Sequence, residues 1–285
     1  MNMPTMESVS RFKAAMDSDR GALGPFMICT DPAMVEAAGR AGYDFVLLDM
    51  EHGTTTFQTL PNLIRAANVS GVCPVVRVPR GTDIWIDQAL DVGAGAVMIP
   101  QIDTAEQARH AIREVKFAPK GNRGFGDSAR ASKFGCIPND QYLKLVNDNV
   151  MVIGMIESRE GIKNLDEILE TGIDVLRIGA KDLSLDMGYG GEVTPEVRRA
   201  VEKICRKVRD SKVILGDAGL GGLGSQQDFE EVCRLGCHMF TLGSDMALIK
   251  KQVVKSLADF KTKKEQFYIN NQDWIACKSQ PVGGN

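Results

Sequence analysis

The chain has 285 residues and carries 34 Lys and Arg against 37 Asp and Glu, so its formal charge is −3. With 44% apolar and 25% charged residues, the composition is that of an ordinary globular protein with enough apolar material for one large core. The slight acidic excess argues against nucleic acid or an anionic membrane as the main partner, because both require concentrated Lys and Arg.

The N-terminal segment and the cysteines indicate a cytoplasmic protein. The first residues lack a charged region followed by an apolar stretch, so no secretory signal is expected. No apolar run approaches the about 20 residues that span a bilayer, so no membrane association is expected either. The seven cysteines form an odd set without a Cys-x-x-Cys pair, which indicates reduced thiols in a cytoplasm.

Short apolar runs alternate with longer amphipathic segments along the chain. The runs are almost continuously apolar, which is typical of strands buried on both faces of a parallel sheet. The predicted strands are Leu23–Ile28, Phe45–Met50, Pro74–Val78, Ala96–Pro100, Val150–Ile156, Asp174–Ile178, Val213–Gly216 and His238–Leu242. The predicted helices are Pro32–Ala41, Phe57–Val69, Asp83–Val92, Thr104–Phe117, Leu165–Glu170, Pro195–Asp210, Gln226–Leu235 and Met246–Lys261.

Eight strands in strict alternation with eight helices predict a (β/α)₈ barrel, which needs roughly 250 residues. An open, doubly wound sheet is the alternative. Because no linker rich in Pro, Gly or Ser interrupts the pattern, we predict one barrel domain over residues 1–265 and a polar tail over residues 266–285.

Two segments do not fit the simple alternation. Ala118–Asp140 is a long connection, and a connection of this length is usually functional or contains a short helix. Gly219–Gly224 has the spacing G-x-G-x-x-G, but it comes late in the chain and no ribose-binding acid closes the next strand. A loop at the barrel mouth, or backbone N–H groups facing an anion, is therefore favoured over a dinucleotide site.

Charged residues follow several predicted strands at their carboxyl ends, where a barrel collects its functional groups. Glu157 follows the fifth strand and Asp182 follows the sixth, so neighbouring strands carry them. Two carboxylates placed in this way can bind a hard divalent cation such as Mg²⁺ or Mn²⁺, with waters and substrate oxygens completing its shell. The alternative is that each carboxylate caps the helix that it precedes.

His52 and Arg77 are the other candidates at the strand ends. His52 lies close to Asp49 and Glu51, and a carboxylate can orient an imidazole as a general base. A structural role is the alternative for this histidine. Arg77 stands in an otherwise apolar strand, where a buried guanidinium requires an anion such as an enolate or a carboxylate.

Several motifs at these positions resemble the HpcH/HpaI aldolases. They are Phe45–His52, Pro74–Val78, Arg123-Gly124 with Ala129–Ser132, Ile156–Glu160 and Ile178–Gly188, and they follow one another in the family's order. The resemblance implies a (β/α)₈ barrel of the phosphoenolpyruvate/pyruvate-binding type. It also implies a class II aldolase, a metal-dependent carbon–carbon lyase that reversibly cleaves a 4-hydroxy-2-oxo acid to pyruvate and an aldehyde through a metal-bound pyruvate enolate.

Carried over residue by residue, the resemblance gives a role to each matching position in the reaction. It implies that Glu157 and Asp182 bind the divalent metal, which is Mg²⁺, Mn²⁺ or Co²⁺. It implies that Arg77 holds the keto oxygen of pyruvate. It implies that His52 is the acid/base and that Asp91 orients it.

The resemblance also bears on substrate binding and assembly. Backbone N–H groups at Ala180, Lys181 and Asp182, together with Ser128, are implied to bind the pyruvate carboxylate. The implied assembly is a homohexamer in which the last helix packs on a neighbouring subunit.

This chain departs from the family pattern at two positions. Met155 stands where the family often has Gln, and Lys181 stands where the family's Gly-Pro-Ala-Asp has Ala. Three alternatives to the metal-dependent aldolase therefore stay open: a Schiff-base aldolase with Lys181 as the nucleophile; a citrate-synthase-like enzyme or an oxaloacetate decarboxylase using the same site; and a barrel that binds a 2-oxo acid without turnover.

Overall fold

The structure, a computed structural model, describes residues 4–80, 83–220 and 226–272. The chain divides into a first compact unit that ends at Asp245 and a second that begins at Met246. Residues 221–224 of the predicted glycine-rich loop, and the part of the predicted tail from residue 273 onwards, lie outside the described residues.

Eight parallel strands form the first unit's sheet, and from the first strand to the seventh, strands that follow one another in the chain are neighbours in the sheet. The strands are β1 Ala22–Met27, β2 Phe45–Asp49, β3 Cys73–Arg77, β4 Ala96–Ile99, β5 Met151–Ile156, β6 Val175–Ile178, β7 Ile214–Leu215 and β8 Met239–Ser244. β1 pairs with both β2 and β8, and a backbone hydrogen bond of 2.9 Å from His238 N to Leu215 O links the ends of the order. This topology confirms the predicted (β/α)₈ barrel and rejects the doubly wound alternative.

The helices include all eight that the sequence predicts. They are α1 Pro4–Met16, α2 Pro32–Ala41, α3 Leu60–Ser70, α4 Asp83–Asp91, α5 Ala105–Val115, α6 Asn139–Asn149, α7 Arg159–Lys163, α8 Leu165–Leu169, α9 Ala180–Asp186, α10 Pro195–Arg209, α11 Gln226–Arg234 and α12 Asp245–Asn270. Four of them, α1, α6, α7 and α9, were not predicted. None of the described helices has the length and apolar character needed to cross a membrane.

Alternation along each strand decides which side chains enter the barrel. In β2, Phe45 and Leu47 belong to the interior cluster, whereas Val46 and Leu48 pack in the layer between the sheet and the helices. By the same alternation, the next side chain of β2 that faces the interior is Asp49, and the corresponding side chain of β3 is Arg77. The last interior position of both strands is therefore charged, although the positions before it are apolar.

Helix α1 packs against the interior of the barrel at the amino ends of the strands. Val9, Phe12 and Met16 are buried in the same cluster as Phe45 of β2, and the rings of Phe12 and Phe45 are 5.1 Å apart. The barrel therefore has an apolar floor, and its functional groups are confined to the carboxyl ends of the strands.

The predicted connection Ala118–Asp140 contains one short 3-10 turn, Arg130–Ser132, and ends in the first residues of α6. The turn is attached to the end of α4, because Arg130 Nη1 donates a hydrogen bond of 2.8 Å to the carbonyl oxygen of Val92. Of the two expectations for this connection, a functional role or a short helix, the structure shows the short helix.

The second unit begins within α12, which continues past the predicted domain boundary at residue 265 to Asn270. Large apolar side chains along this helix are exposed, a pattern that belongs to surfaces that bind another protein. They are Met246, Leu248, Ile249, Val253, Val254, Leu257, Phe260, Phe267, Tyr268 and Ile269.

Candidate active site

A two-pronged ion pair fixes Arg77 at the carboxyl end of β3. Its Nε and Nη2 donate hydrogen bonds of 2.9 and 2.7 Å to the two carboxylate oxygens of Asp49, the residue beside it in the sheet. Burial alone would raise the pKa of Asp49, but the hydrogen bonds and charge of Arg77 outweigh it, so the pKa is lowered. Arg77 is consequently a positive charge with a fixed direction in a buried position.

The carboxylate of Glu51 lies between the basic side chains of this region. Its Oε2 lies 3.3 Å from Arg77 Nη1 and 4.0 Å from His52 Nε2, and its Oε1 lies 3.3 Å from Arg80 Nε. The Glu51 side chain is almost fully buried. It therefore connects the guanidinium of Arg77 with the predicted base.

Glu157 lies buried at the end of β5. Its Oε1 accepts a hydrogen bond of 2.8 Å from the backbone N–H of Gln101 and lies 3.6 Å from Arg80 Nη2. Its Oε2 lies so close to Gly179 that a Cβ at that position would be only 2.4 Å from it. A glycine at position 179 is therefore required for this carboxylate to occupy its place.

The surroundings of Glu157 favour a cation. Burial, and then the negative charge of Asp182, raise the pKa of Glu157 to about 7, and Glu51 acts in the same direction. Carboxylates that repel one another in a buried site are stabilised by a divalent ion, and oxygen donors suit Mg²⁺ or Mn²⁺. The residues present fit such an ion.

A cavity of about 270 Å³ opens beside this group at the carboxyl ends of the strands. Arg77, Met155, Ala180, Lys181 and Asp182 line it. The remaining lining residues are Phe26, Arg177, Ile178, Gly179, Asp217, Gly219, Thr241, Gly243 and Ser244. The cavity therefore brings together the predicted keto-oxygen ligand, one predicted metal ligand and both positions at which the chain departs from the family pattern.

Four predicted site residues do not line this cavity: Glu157, which lies against Gly179 of the lining, and His52, Asp91 and Ser128. The side chain of His52 is 64% exposed, and its Nε2 lies 4.0 Å from Oε2 of Glu51. Asp91 instead pairs with Arg123, whose Nη2 is 2.7 Å from its Oδ1. Ser128 is exposed in the long connection and bonds Asp127. The pairing of His52 with Asp91 and the substrate contact of Ser128 stay predictions.

Sequence reasoning missed Arg80 and Arg177, and it considered Asp49 and Glu51 only as neighbours of His52. The alternation of side chains along β6 could have identified Arg177, because it pairs in the sheet with Met155, whose side chain faces the interior. No sequence signal distinguished Arg80, whose role depends on how the loop after β3 turns toward Glu51 and Glu157.

A separate group of possible ligands lies between α4 and α5. Ligand atoms of Asp83, His110 and Glu114 all lie within 4.8 Å of one another, and His110 Nε2 is 2.6 Å from Asp83 Oδ1. Asp83 and His110 are each about half exposed, as in an ordinary surface ion pair.

Comparisons with known proteins agree with the geometry. A model of the HpcH/HpaI aldolase/citrate lyase family matches residues 23–251. The 2-keto-3-deoxy-L-rhamnonate aldolase of Escherichia coli (strain K12) is 36% identical over 257 residues, which are 89% of this chain and 94% of that protein.

Two solved structures show the same fold. An HpcH/HpaI aldolase/citrate lyase family protein from Burkholderia cenocepacia J2315 is 28% identical with a TM-score of 0.81, covering 88% of this chain and 99% of that one. The citrate synthase SbnG is 28% identical with a TM-score of 0.80, covering 91% and 99%.

Proposed function

Because this chain belongs to the HpcH/HpaI aldolase/citrate lyase family, we propose that it is a carbon–carbon lyase that reversibly cleaves a 4-hydroxy-2-oxo acid to pyruvate and an aldehyde. The observation that carries the proposal is the carboxylate of Glu157, buried at the end of β5, whose pKa is raised by burial and then by the charge of Asp182, and whose charge acts on the ion-paired Arg77. Arg77 and Asp182 line one cavity, and Glu157 lies against Gly179 of the same lining. Ligands for a cation and a fixed positive charge are therefore close together, which is what an enolate requires.

Glu157 and Asp182 hold the divalent cation in this proposal, and Mg²⁺, Mn²⁺ and Co²⁺ are the candidates. When bound, the cation acts as a Lewis acid on the 2-oxo group and stabilises the negative charge that develops in cleavage. Gly179, which has no side chain, leaves the space that Glu157 Oε2 occupies.

Arg77 donates to the keto oxygen. Its Nε and Nη2 are engaged by Asp49, so the guanidinium is oriented before substrate arrives and loses little freedom on binding. Ala180, Lys181, Asp182 and Ser128 are the proposed contacts of the pyruvate carboxylate.

His52 accepts the proton of the 4-hydroxyl in cleavage and returns it in the aldol direction. Glu51, 4.0 Å from Nε2, is the carboxylate beside it within this chain. Asp91 keeps its proposed part in orienting the imidazole.

Removal of the metal tests the proposal. Pyruvate release from 4-hydroxy-2-oxo acids should be abolished by EDTA and restored by Mg²⁺, Mn²⁺ or Co²⁺. Glu157→Gln should lose the restored activity by at least about 100-fold, a loss typical of a group acting on the transition state. Glu160→Gln, an exposed change three residues away, is the matched control. Full activity in a metal-free, chelated sample would exclude the metal-dependent reaction.

Lys181 lines the same cavity, which keeps the Schiff-base aldolase as a second candidate. Borohydride reduction in the presence of pyruvate would then add mass at Lys181, and an unchanged mass removes this mechanism.

The similarity to the citrate synthase SbnG supports a third reaction at the same site. Oxaloacetate decarboxylation and acetyl-CoA consumption, measured beside pyruvate release, separate citrate-type bond formation from aldol cleavage.

We also propose a homo-oligomer, a hexamer by the family resemblance, in which the apolar side chains of α12 pack on a neighbouring subunit.

The six cysteines in the described residues are free thiols, which suits a protein of the cytoplasm.

A further inference from the structure

A second guanidinium lies among the carboxylates at the barrel mouth. Arg80 follows Arg77 by three residues, in the loop after β3, and its side chain is 46% exposed. The side chain of Arg77, by contrast, is only 10% exposed. The two arginines therefore reach the same acidic region from different surroundings, one from a buried position and one from a position open to solvent.

The contacts of Arg80 with this region are long. Its Nε lies 3.3 Å from Glu51 Oε1, and its Nη2 lies 3.6 Å from Glu157 Oε1. Charged hydrogen bonds from a guanidinium to a carboxylate measure about 2.7–2.9 Å, and Arg77 makes two of that length to Asp49. Arg80 is therefore held by charge more than by hydrogen bonds, and its contact with Glu157 can break at little cost.

Arg80 is also the cation that pairs with Glu157. Arg77 directs its Nε and Nη2 at Asp49 and its Nη1 at Glu51. Of the basic side chains that the structure describes, Arg80 is the one that forms an ion pair with Glu157. The carboxylate on which the proposed metal site depends therefore already faces a positive charge of the chain itself.

The side chain of Arg80 has space on the side away from Glu157. It lines a second cavity, of about 560 Å³, between the loops after β3 and β4 and the helices α4 and α5. Asp83 lines the same cavity, so a carboxylate is present there as well. Because Arg80 is half exposed and borders this cavity, its guanidinium can move without disturbing the packing of the core.

We propose that Arg80 is a positioning residue that competes with the divalent cation for the carboxylate of Glu157 and thereby sets the affinity of the metal site. The inference rests on the proposed ligands Glu157 and Asp182. As the cation binds, the guanidinium gives up Glu157 Oε1 and moves toward the second cavity. The dissociation constant of the metal is then raised according to the fraction of molecules in which Arg80 occupies the carboxylate.

The direction of the effect distinguishes competition from mechanical support. If Arg80 only held Glu157 in its orientation, its removal would weaken metal binding, because a ligand that is not oriented must be ordered when the metal binds. Competition predicts the opposite result. Removal of a positive charge a few ångströms from a divalent cation should tighten binding by about tenfold, even at the dielectric constant of water.

Calorimetric titration of the full chain with Mn²⁺ tests the inference without recourse to activity. At about pH 8, which is above the pKa of Glu157 of about 7, its proton competes little. Arg80→Met should bind Mn²⁺ about tenfold more tightly than the wild type does, and Arg80→Lys, which keeps the charge, should stay closer to the wild type. An affinity of Arg80→Met equal to or weaker than that of the wild type overturns the inference.

Arg113→Met is the matched control. Arg113 of α5 has a side chain that is 43% exposed, and its Nη2 lies 2.8 Å from Glu106 Oε1. Its replacement removes the same charge from a similarly exposed ion pair, and it should leave the affinity for Mn²⁺ unchanged. Tightening in Arg113→Met as large as in Arg80→Met would show a general effect of net charge and would also overturn the inference.

A third variant separates failure of this inference from failure of the metal proposal. If Glu157→Gln binds Mn²⁺ as the wild type does, Glu157 is not a ligand, and the metal proposal and the inference fail together. If Glu157→Gln loses Mn²⁺ while Arg80→Met shows no tightening, the metal proposal stands and only the role of Arg80 is wrong.

Discussion

Glu157 retains its proton to an unusually high pH. Burial, followed by the charge of Asp182, raises its pKa from the ordinary 4.5 to about 7. Between these two pH values the folded, metal-free chain keeps a proton that the unfolded chain releases. The contribution of Glu157 to the free energy of unfolding is therefore complete below pH 4.5 and lost as the pH rises through about 7.

Metal affinity should reflect the same proton. Because the cation must displace it, the dissociation constant of Mn²⁺ should rise about tenfold for each pH unit below the pKa and stay constant above it. Calorimetric titration between about pH 5.5 and 8.5 measures this slope. Glu160→Gln should keep the wild-type profile, and an affinity that does not change with pH contradicts the prediction.

Arg77 and Asp49 should also determine stability. Arg77→Met leaves the carboxylate of Asp49 buried without its partner, so we expect a loss of about 3–5 kcal/mol in the free energy of unfolding, together with a large fall in kcat. Urea denaturation and pyruvate release measure the two effects.

Arg20→Met is the matched control for this change. Arg20 makes the same two-pronged contact with Asp44, at 2.7 and 3.0 Å, but its side chain is 57% exposed. Because the guanidinium of Arg20 is exposed and Asp44 keeps a hydrogen bond from the backbone N–H of Leu23, its loss should cost only about 0–1 kcal/mol and leave activity intact. Equal losses in the two variants would contradict the role given to burial.

At the residue scale, the sequence predicted charged groups more reliably than their partners. Arg77, Asp182 and Lys181 line the cavity as the strand ends predict, because parallel strands bring their carboxyl ends to one face. The contacts of Asp91 with Arg123, and of Arg80 with Glu157, depend on loop paths that no periodicity encodes.

At the element scale, α1 should contribute strongly to stability. Phe12 is fully buried against Phe45, so Phe12→Ala should lower the free energy of unfolding by about 3–5 kcal/mol. Lys13→Ala, an exposed neighbour on the same helix, should change it by less than about 0.5 kcal/mol. Chemical denaturation compares them, and similar values would show that α1 is not part of the core.

The strands were predictable because burial on both faces makes each one a short apolar run between glycines and polar segments. Helices α1 and α6 were not, although Val9, Phe12 and Met16 have a helical spacing and so do Tyr142 and Val146. The floor of the barrel and the region before β5 lie outside the simple strand–helix repeat, so alternation alone gave no reason to expect a helix there.

At the scale of the whole molecule, α12 should determine assembly. Leu257 is 55% exposed, and a charge there would disrupt an apolar interface between subunits. We expect Leu257→Glu to reduce the molar mass measured by light scattering during size-exclusion chromatography, whereas Lys255→Glu on the same helix should not. A monomeric wild type would contradict the proposed oligomer.

The apolar floor formed by α1 also affects the order of events in turnover. A chamber closed at one end exchanges its contents only through its rim, so two products lying one above the other depart in a fixed sequence. The product nearer the floor departs second, and it alone can re-enter the vacant enzyme as a competitive inhibitor. Product-inhibition kinetics should therefore identify which half of the cleaved molecule lies deeper.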